Sequence, residues 1–289
     1  MGGGSWSAST YATYSKSLCR DVALDGTISN SYSAQEMFTA RSLDPALNCY
    51  GVMRECVDSQ EHPNTIPVIL ALDVTGSMGK TSVEIASKLN KIMTSLYDEV
   101  KDVEFMIMGI GDFSYDTYPL QVSQFESDIR IAEQLDKIYF EAGGGGNSYE
   151  SYSAAWYFAA NHTELDCWKR NKKGLIITIG DELLNPYLPL DKVSEVISDD
   201  NQADIETNDI YEMVKDKYDL YHINVTSTSS GSRGKTKNVE SFAKLIGPQN
   251  VCNCNTEEIS EHIINIVKDF AKNSEETETS VFNAGTISW

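Results

Sequence analysis

The chain has 289 residues, of which 41% are hydrophobic, so it can bury one large core but not several full domains. Its 43 acidic and 23 basic residues give a formal net charge of -20. The resulting negative field repels phosphate backbones and anionic lipid surfaces, so neither nucleic acid nor a membrane is expected as a partner.

The cellular compartment is predicted from two features of the sequence. No stretch of about 18 uninterrupted apolar residues occurs, and the N-terminus lacks the basic start and apolar segment of a secretory signal. We therefore expect a cytoplasmic protein. In that compartment, the six cysteines are expected to remain reduced thiols.

Composition divides the chain into three parts. Residues 1–64 are rich in Ser, Tyr, Thr and Gly and show little periodic apolar pattern, which predicts an N-terminal extension that packs on the main domain or trails from it. Regular apolar runs begin near Pro67 and predict one domain over residues 65–272. Residues 273–289 are predicted to form a C-terminal tail.

The first strand of this domain is predicted over residues 67–74, because a short, continuous apolar run there ends in polar turn residues. Apolar residues at helical spacing then predict a helix over 82–97. Further strands are predicted over 103–110, 120–125, 174–179, 220–225 and 250–254. Further helices are predicted over 128–138, 149–160, 189–197, 208–217, 239–245 and 257–271. This alternation indicates an α/β fold, with a doubly wound, mainly parallel sheet that has helices on both faces.

Polar residues follow three of the predicted strands. The first strand is followed by Asp73, Thr75 and Ser77, the second by Asp112, and the fourth by Asp181 and Glu182. Ligands of such sheets bind at the carboxyl ends of the strands, and ligand sets made of oxygen atoms suit a hard cation such as Mg²⁺.

The alternation of Asp73, Thr75 and Ser77 places three oxygens on the same side of an extended turn. Helix capping by Thr75 or Ser77 is the simpler alternative. Asp112 and Glu182 either support a metal site from outside or cap neighbouring helices, and capping is the favoured role for Asp112.

The segment from Ile69 to Met78, with the sequence ILALDVTGSM, resembles the metal-ion-dependent adhesion site of von Willebrand factor A domains. The resemblance covers roughly residues 65–272 and is to the intracellular bacterial or phage type of this family. It implies a six-stranded sheet of order 3-2-1-4-5-6 with one short antiparallel edge strand. It also implies a metal ion at the top of the first and fourth strands.

In that family, a hydroxyl from a second loop and an Asp after the fourth strand complete the metal site. The tetraglycine Gly143 to Gly146, followed by Asn147 and Ser148, occurs in the matching place. For Mg²⁺ or Mn²⁺ the resemblance therefore implies five ligands: Asp73, Thr75, Ser77, Ser148 and Asp181. The carbonyl oxygen of Asn147 is an alternative to the Ser148 hydroxyl.

The resemblance implies a protein-binding module or adaptor, in which the bound metal accepts an Asp or Glu of a partner protein. Intracellular relatives often act beside AAA+ ATPases, so such an ATPase is the expected partner. No Ser-His-Asp or Cys-His arrangement is suggested by the sequence, and we do not expect an enzyme.

Two other functions compete with this interpretation. The segment from Gly76 to Thr81 resembles the end of a phosphate-binding P-loop, although Val74 stands where that motif requires Gly. Metal-assisted hydrolysis would need a positioned base, for which Glu150 and Glu182 are the candidates. Glu150 also has a simpler role as an acidic residue in the first turn of a helix.

Overall fold

The computed structural model describes residues 4–29, 31–141 and 146–284. Its strands are β1 (Arg54–Cys56), β2 (Ile66–Asp73), β3 (Val103–Ile110), β4 (Leu120–Val122), β5 (Tyr149–Glu150), β6 (Thr163–Leu165), β7 (Gly174–Gly180), β8 (Leu183–Leu184), β9 (Tyr187–Leu188), β10 (Ile205–Glu206), β11 (Tyr218–Val225) and β12 (Val251–Cys254). Its helices are α1 (Ala8–Ser17), α2 (Ala34–Met37), α3 (Gly79–Tyr97), α4 (Arg130–Leu135), α5 (Tyr152–Asn161), α6 (Leu190–Val196), α7 (Thr207–Val214), α8 (Ser229–Ile246) and α9 (Ile259–Ala284).

Six strands form the central sheet in the order β12-β11-β7-β2-β3-β4. All neighbouring pairs are parallel except β3 and β4, which are antiparallel. Counted along the chain, this is the order 3-2-1-4-5-6 with one short antiparallel edge strand. The sheet is therefore mixed, as the resemblance implied, and the α/β fold is confirmed.

The central strand β2 is buried on both faces of the sheet. Val68 and Leu70 belong to a core on one face that includes residues of α3, α4 and α9, whereas Ile69 and Ala71 belong to a core on the other face with α5 and α7. Helices on both faces leave no side of this strand in water, and this explains its continuous apolar sequence.

The N-terminal extension packs on the domain through residues that the structure describes. Tyr11 of α1 is buried, and its hydroxyl donates to the carbonyl oxygen of Ala86 in α3 over 3.0 Å. The guanidinium of Arg20 donates to both carboxylate oxygens of Asp136 over 2.9 and 2.8 Å and also to the carbonyl oxygen of Met37. Of the two arrangements left open by the sequence, the structure shows the packed one.

Several element boundaries differ from the sequence predictions. Helix α8 begins at Ser229, ten residues before the predicted start. The prediction missed its first turns because they are rich in Ser and Gly, which have weak helix propensity. The Thr228 side chain caps the helix at this earlier start. Helix α9 continues to Ala284, through most of the predicted tail, and residues 285–289 lie outside the described residues. The predicted helix over 149–160 starts at Tyr152, since Tyr149 and Glu150 pair with β8.

None of the helices in the described ranges is long and apolar enough to cross a membrane. All six cysteines lie in these ranges as free thiols.

Candidate metal centre

Two carboxylates come together at the carboxyl ends of the neighbouring strands β2 and β7. Asp73 ends β2 and Asp181 follows β7, and both side chains are 0% exposed. Burial, together with the negative charge of Asp181, raises the pKa of Asp73 to about 7. Burial also raises the pKa of Asp181. The fold therefore places two acidic groups in each other's field at the edge where ligands bind in such sheets.

Hydroxyl groups of the first loop bind these carboxylates. Thr75 donates to Asp73 Oδ1 through its hydroxyl over 2.7 Å and through its backbone N–H over 3.0 Å. Ser77 donates through its hydroxyl to Asp181 Oδ1 over 3.0 Å. Neither the 3-10 turn Gly76–Met78 nor α3 has a side-chain hydrogen bond at its N-cap. The observed partners of Thr75 and Ser77 are thus the two carboxylates, and the capping alternative does not describe these contacts.

The second loop contributes less clearly. Ser148 is exposed. Within the described residues, its side chain makes no hydrogen bond to the two carboxylates or to the hydroxyls of Thr75 and Ser77. Asn147 donates through Nδ2 to Asp112 Oδ2 over 2.7 Å, and its Oδ1 accepts from the backbone N–H of Tyr149. The Ser148 hydroxyl and the carbonyl oxygen of Asn147 both remain candidates for the fifth ligand position. The preceding glycines 143–145 lie outside the described residues.

Tyr152 belongs to the site, although the sequence pattern gave no sign of it. Its hydroxyl donates to Asp73 Oδ2 over 3.0 Å and accepts from the backbone N–H of Glu182 over 3.4 Å. The ring passes directly over Gly180, where a Cβ atom would lie 1.8 Å from the hydroxyl oxygen. Glycine at position 180 therefore allows Tyr152 to reach Asp73.

The N-terminal end of α8 holds Asp181 in place. The nearby hydroxyls of Thr228 and Ser77 and the backbone N–H of Gly231 oppose the effect of burial on the pKa of Asp181. Asn238, farther along α8, donates through Nδ2 to the backbone oxygen of Asp181 over 2.6 Å. These contacts join α8 to the loop after β7, and the sequence analysis missed them because it placed the start of α8 at position 239.

Further acidic side chains surround the two central carboxylates. Asp112 Oδ1 accepts from the backbone N–H of Ser114 over 2.7 Å within a turn, and no helix begins there for Asp112 to cap as the sequence favoured. Glu150 is 5% exposed, and its Oε2 has no hydrogen-bond partner. Burial and then the charges of Asp73 and Asp116 raise the pKa of Glu150 to about 11. The carboxyl edge of the sheet is therefore strongly acidic and partly unsatisfied.

These side chains fit a hard divalent cation. Asp181 Oδ2 is buried and lacks a hydrogen-bond partner, so one oxygen at the centre of the site is free to bind a ligand. The ligand set consists of carboxylate and hydroxyl oxygens, which suit Mg²⁺ or Mn²⁺ better than a soft metal. In the part of the chain that the structure describes, no group of three or more His, Cys, Asp or Glu side chains is arranged to hold a metal. A cation here therefore depends on two carboxylates completed by hydroxyls.

The same geometry argues against a phosphate-binding loop. The backbone N–H of Val74 donates to Ile110 and its carbonyl accepts from Glu141, both over 2.9 Å. The N–H of Thr75 is bound to Asp73. These two N–H groups are therefore not free to bind phosphate, and a buried carboxylate, whose charge repels phosphate, lies beside them. Burial raises the pKa of both Glu150 and Glu182, the two candidate bases of a metal-assisted hydrolase.

No protein-family model and no curated protein sequence matches the chain. Among solved structures, it is similar to the pilus adhesin SpaC from Lactobacillus rhamnosus GG in the open conformation, with 14% sequence identity and a TM-score of 0.53. That match covers 78% of this chain and 31% of the adhesin, so this chain spans less than one third of the adhesin's length. The von Willebrand factor domain of the type V pili tip protein Mfa5 from Porphyromonas gingivalis is 10% identical, with a TM-score of 0.48 over 73% of this chain and 96% of that domain. The likeness to the adhesin shows a shared fold alone.

Proposed function

We propose that this chain is a von Willebrand factor A-type module that binds a partner protein through a divalent metal ion. In this proposal, Mg²⁺ or Mn²⁺ is held by Asp73, Thr75, Ser77 and Asp181, with the fifth oxygen from Ser148 or Asn147. The bound ion supplies positive charge and an open position for an Asp or Glu of the partner. A cytoplasmic setting is part of the proposal as the sequence predicted it, and an AAA+ ATPase as partner rests on the sequence resemblance alone.

One observation carries the proposal: Asp73 and Asp181 are fully buried within each other's field, and Asp181 Oδ2 has no partner. Burying two charged carboxylates costs free energy unless a cation or protons neutralise them. A divalent cation neutralises both and also binds the free oxygen. Its affinity is therefore expected to rise with pH as Asp73 loses its proton.

Access from solvent supports binding of a partner at this place. The Ser77 side chain is exposed, and it lines a cavity of about 910 Å³ together with Gly76 and Thr228. The N-terminal extension forms another wall of this cavity through residues 31–36. A carboxylate of a partner can approach the loop from this side.

The test is metal binding, measured by calorimetry and by thermal unfolding of the wild type, Asp73→Asn and Asp181→Asn. A ligand present at one hundred times its Kd stabilises the folded state by about 2.7 kcal/mol. We expect Mg²⁺ and Mn²⁺ to stabilise the wild type by this order, and to have no such effect on either variant. The exposed Asp191→Asn serves as a matched control that should respond like the wild type.

Two results would decide against the proposal. Equal stabilisation by Mg²⁺ in wild type and both variants would place the metal elsewhere. Stabilisation by ATP that survives in Asp73→Asn would favour the P-loop alternative.

A further inference from the structure

A second cavity lies beside the candidate metal centre and is formed largely by α8. It measures about 410 Å³, and its lining includes Ser148, Glu182, Ser230, Arg233, Lys237 and Asn238. Glu182 follows Asp181 directly, and Asn238 donates to the backbone oxygen of Asp181 over 2.6 Å. The wall of this cavity is therefore bonded to the loop that carries one of the two central carboxylates.

The charge of this cavity is opposite to that of the whole protein. Helix α8 carries four basic residues and one acidic residue, in a chain whose net charge is -20. Arg233 and Lys237 lie one helical turn apart, so they share a face of the helix, and both line the cavity. Both side chains are exposed, and the charge of Arg233 acts on the nearby Glu182, whose pKa it lowers against the larger effect of burial. Glu182 is the one acidic residue in the lining.

Two cations that share one helix face repel each other, so the arrangement does not stabilise α8. It does provide a complementary surface for an anion, in a protein whose remaining field repels anions. The exposed hydroxyl of Ser148 in the lining adds a donor of the kind that a carboxylate accepts.

We propose that this cavity binds a second carboxylate of the same partner segment that reaches the metal. The preferred ligand is then an acidic peptide with two carboxylates, one for the metal and one for Arg233 and Lys237. This inference rests on the proposed function and adds a specificity to it: a segment with a single Asp or Glu binds more weakly.

The test uses the full chain and a series of capped Gly-Ser peptides of equal length. One peptide carries a single Glu, and the others carry two Glu separated by one, two or three residues. Binding is measured by calorimetry in Mg²⁺ and again in EDTA. We expect the best peptide with two Glu to bind about tenfold more tightly than the peptide with one, as two partly exposed charge contacts allow.

Charge-removing variants on the same helix separate a local contact from the long-range field. In Arg233→Gln/Lys237→Gln, the advantage of the second Glu should fall to less than about twofold, while the single-Glu peptide keeps its affinity within about twofold. The matched control is Lys235→Gln/Lys244→Gln, which removes the same charge from α8 outside the cavity lining. The control should retain the full advantage.

Each outcome bears on a definite claim. Equal affinity for peptides with one and two Glu, both dependent on Mg²⁺, would overturn this inference and leave the proposed function standing. An equal loss of the advantage in the two double variants would also overturn it, because the effect would then come from the general field. Binding that EDTA leaves unchanged, but that Arg233→Gln/Lys237→Gln abolishes, would overturn the metal-dependent function and support the cavity as a carboxylate site. Inorganic phosphate that displaces the two-Glu peptide at lower concentration than glutamate does would overturn the assignment to carboxylates.

Discussion

Replacing Glu150 by Gln tests whether the acidic edge of the sheet stores an electrostatic cost in the metal-free protein. The Glu150 side chain is 5% exposed, and its Oε2 has no hydrogen-bond partner. Burial and the neighbouring acidic charges raise its pKa to about 11 from an ordinary value of 4.5. In the folded protein this carboxyl therefore stays protonated at pH values where the unfolded chain has already ionised it.

The sign and size of the effect follow from this difference. A carboxyl with a raised folded-state pKa stabilises the fold fully only below pH 4.5, and this contribution is lost as the pH rises toward the folded-state value. Between the ordinary pKa of 4.5 and pH 7, each pH unit lowers the free energy of unfolding by 1.36 kcal/mol, so about 3 kcal/mol is lost at pH 7. Glutamine has nearly the same shape and no ionisable proton, so the Glu150→Gln variant should avoid this loss.

The assay is urea unfolding in EDTA at pH 5, 7 and 8. We expect Glu150→Gln to exceed the wild type in free energy of unfolding by less than about 1 kcal/mol at pH 5, about 3 kcal/mol at pH 7 and more at pH 8. Glu212→Gln, which removes an exposed acid on α7, should stay within about 0.5 kcal/mol of the wild type at each pH. A Glu150→Gln variant that is less stable than the wild type, or whose advantage does not change with pH, would refute the reasoning.

Two more variants test the contacts that support the site and the extension. A Cβ at position 180 would lie 1.8 Å from the Tyr152 hydroxyl, so Gly180→Ala should lower the free energy of unfolding in urea by about 3 kcal/mol. Nothing lies within 4 Å of a Cβ at Gly51, so the control Gly51→Ala should cost about 1 kcal/mol, from left-handed backbone strain alone. Similar costs for the two variants would contradict the close approach of Tyr152 to Gly180. Arg20→Met leaves the Asp136 carboxylate, which is 13% exposed, without its ion-pair partner and should cost about 3 kcal/mol, and adding Asp136→Leu should recover most of it. A loss below about 1 kcal/mol in the single variant would show that the pair is dispensable.

Much of the central sheet could be predicted because its signals are local. The apolar run before Asp73 and the one before Asp181 are continuous, as strands covered on both faces must be, and the structure has both as neighbouring strands. Oxygen-bearing residues directly after these strands had to meet at one edge, since parallel strands end on the same side. Thr75 and Ser77 also contact those carboxylates, although Gly76–Met78 form a 3-10 turn and not the extended turn that their spacing predicted.

The supporting contacts could not be predicted, because they join residues far apart in the chain. Tyr152 lies 79 positions from Asp73, and in the sequence it reads as one more aromatic residue on a buried helix. Asn238 donates to the Asp181 backbone from α8, and the first turns of α8 are so rich in Ser and Gly that their sequence does not predict a helix there. Similarly, no periodic pattern in the sequence predicts the ion pair of Arg20 with Asp136. Each of these contacts depends on tertiary packing, which intrinsic propensity does not encode.

The burial of the central acids bears directly on the simplest alternative to a metal site. If the acidic strand ends were ordinary solvated caps, their carboxylates would face water and carry no cost. Asp73 and Asp181 are instead fully buried, and burial raises the pKa of both, as it does for Glu150. A fold accepts such a local cost where function requires it, because stability alone favours replacing buried acids by neutral residues. A divalent cation that binds here relieves this cost by neutralising the acids, so the cost in the metal-free protein increases the affinity for the metal. The Glu150→Gln variant should therefore be more stable without metal and bind the metal more weakly.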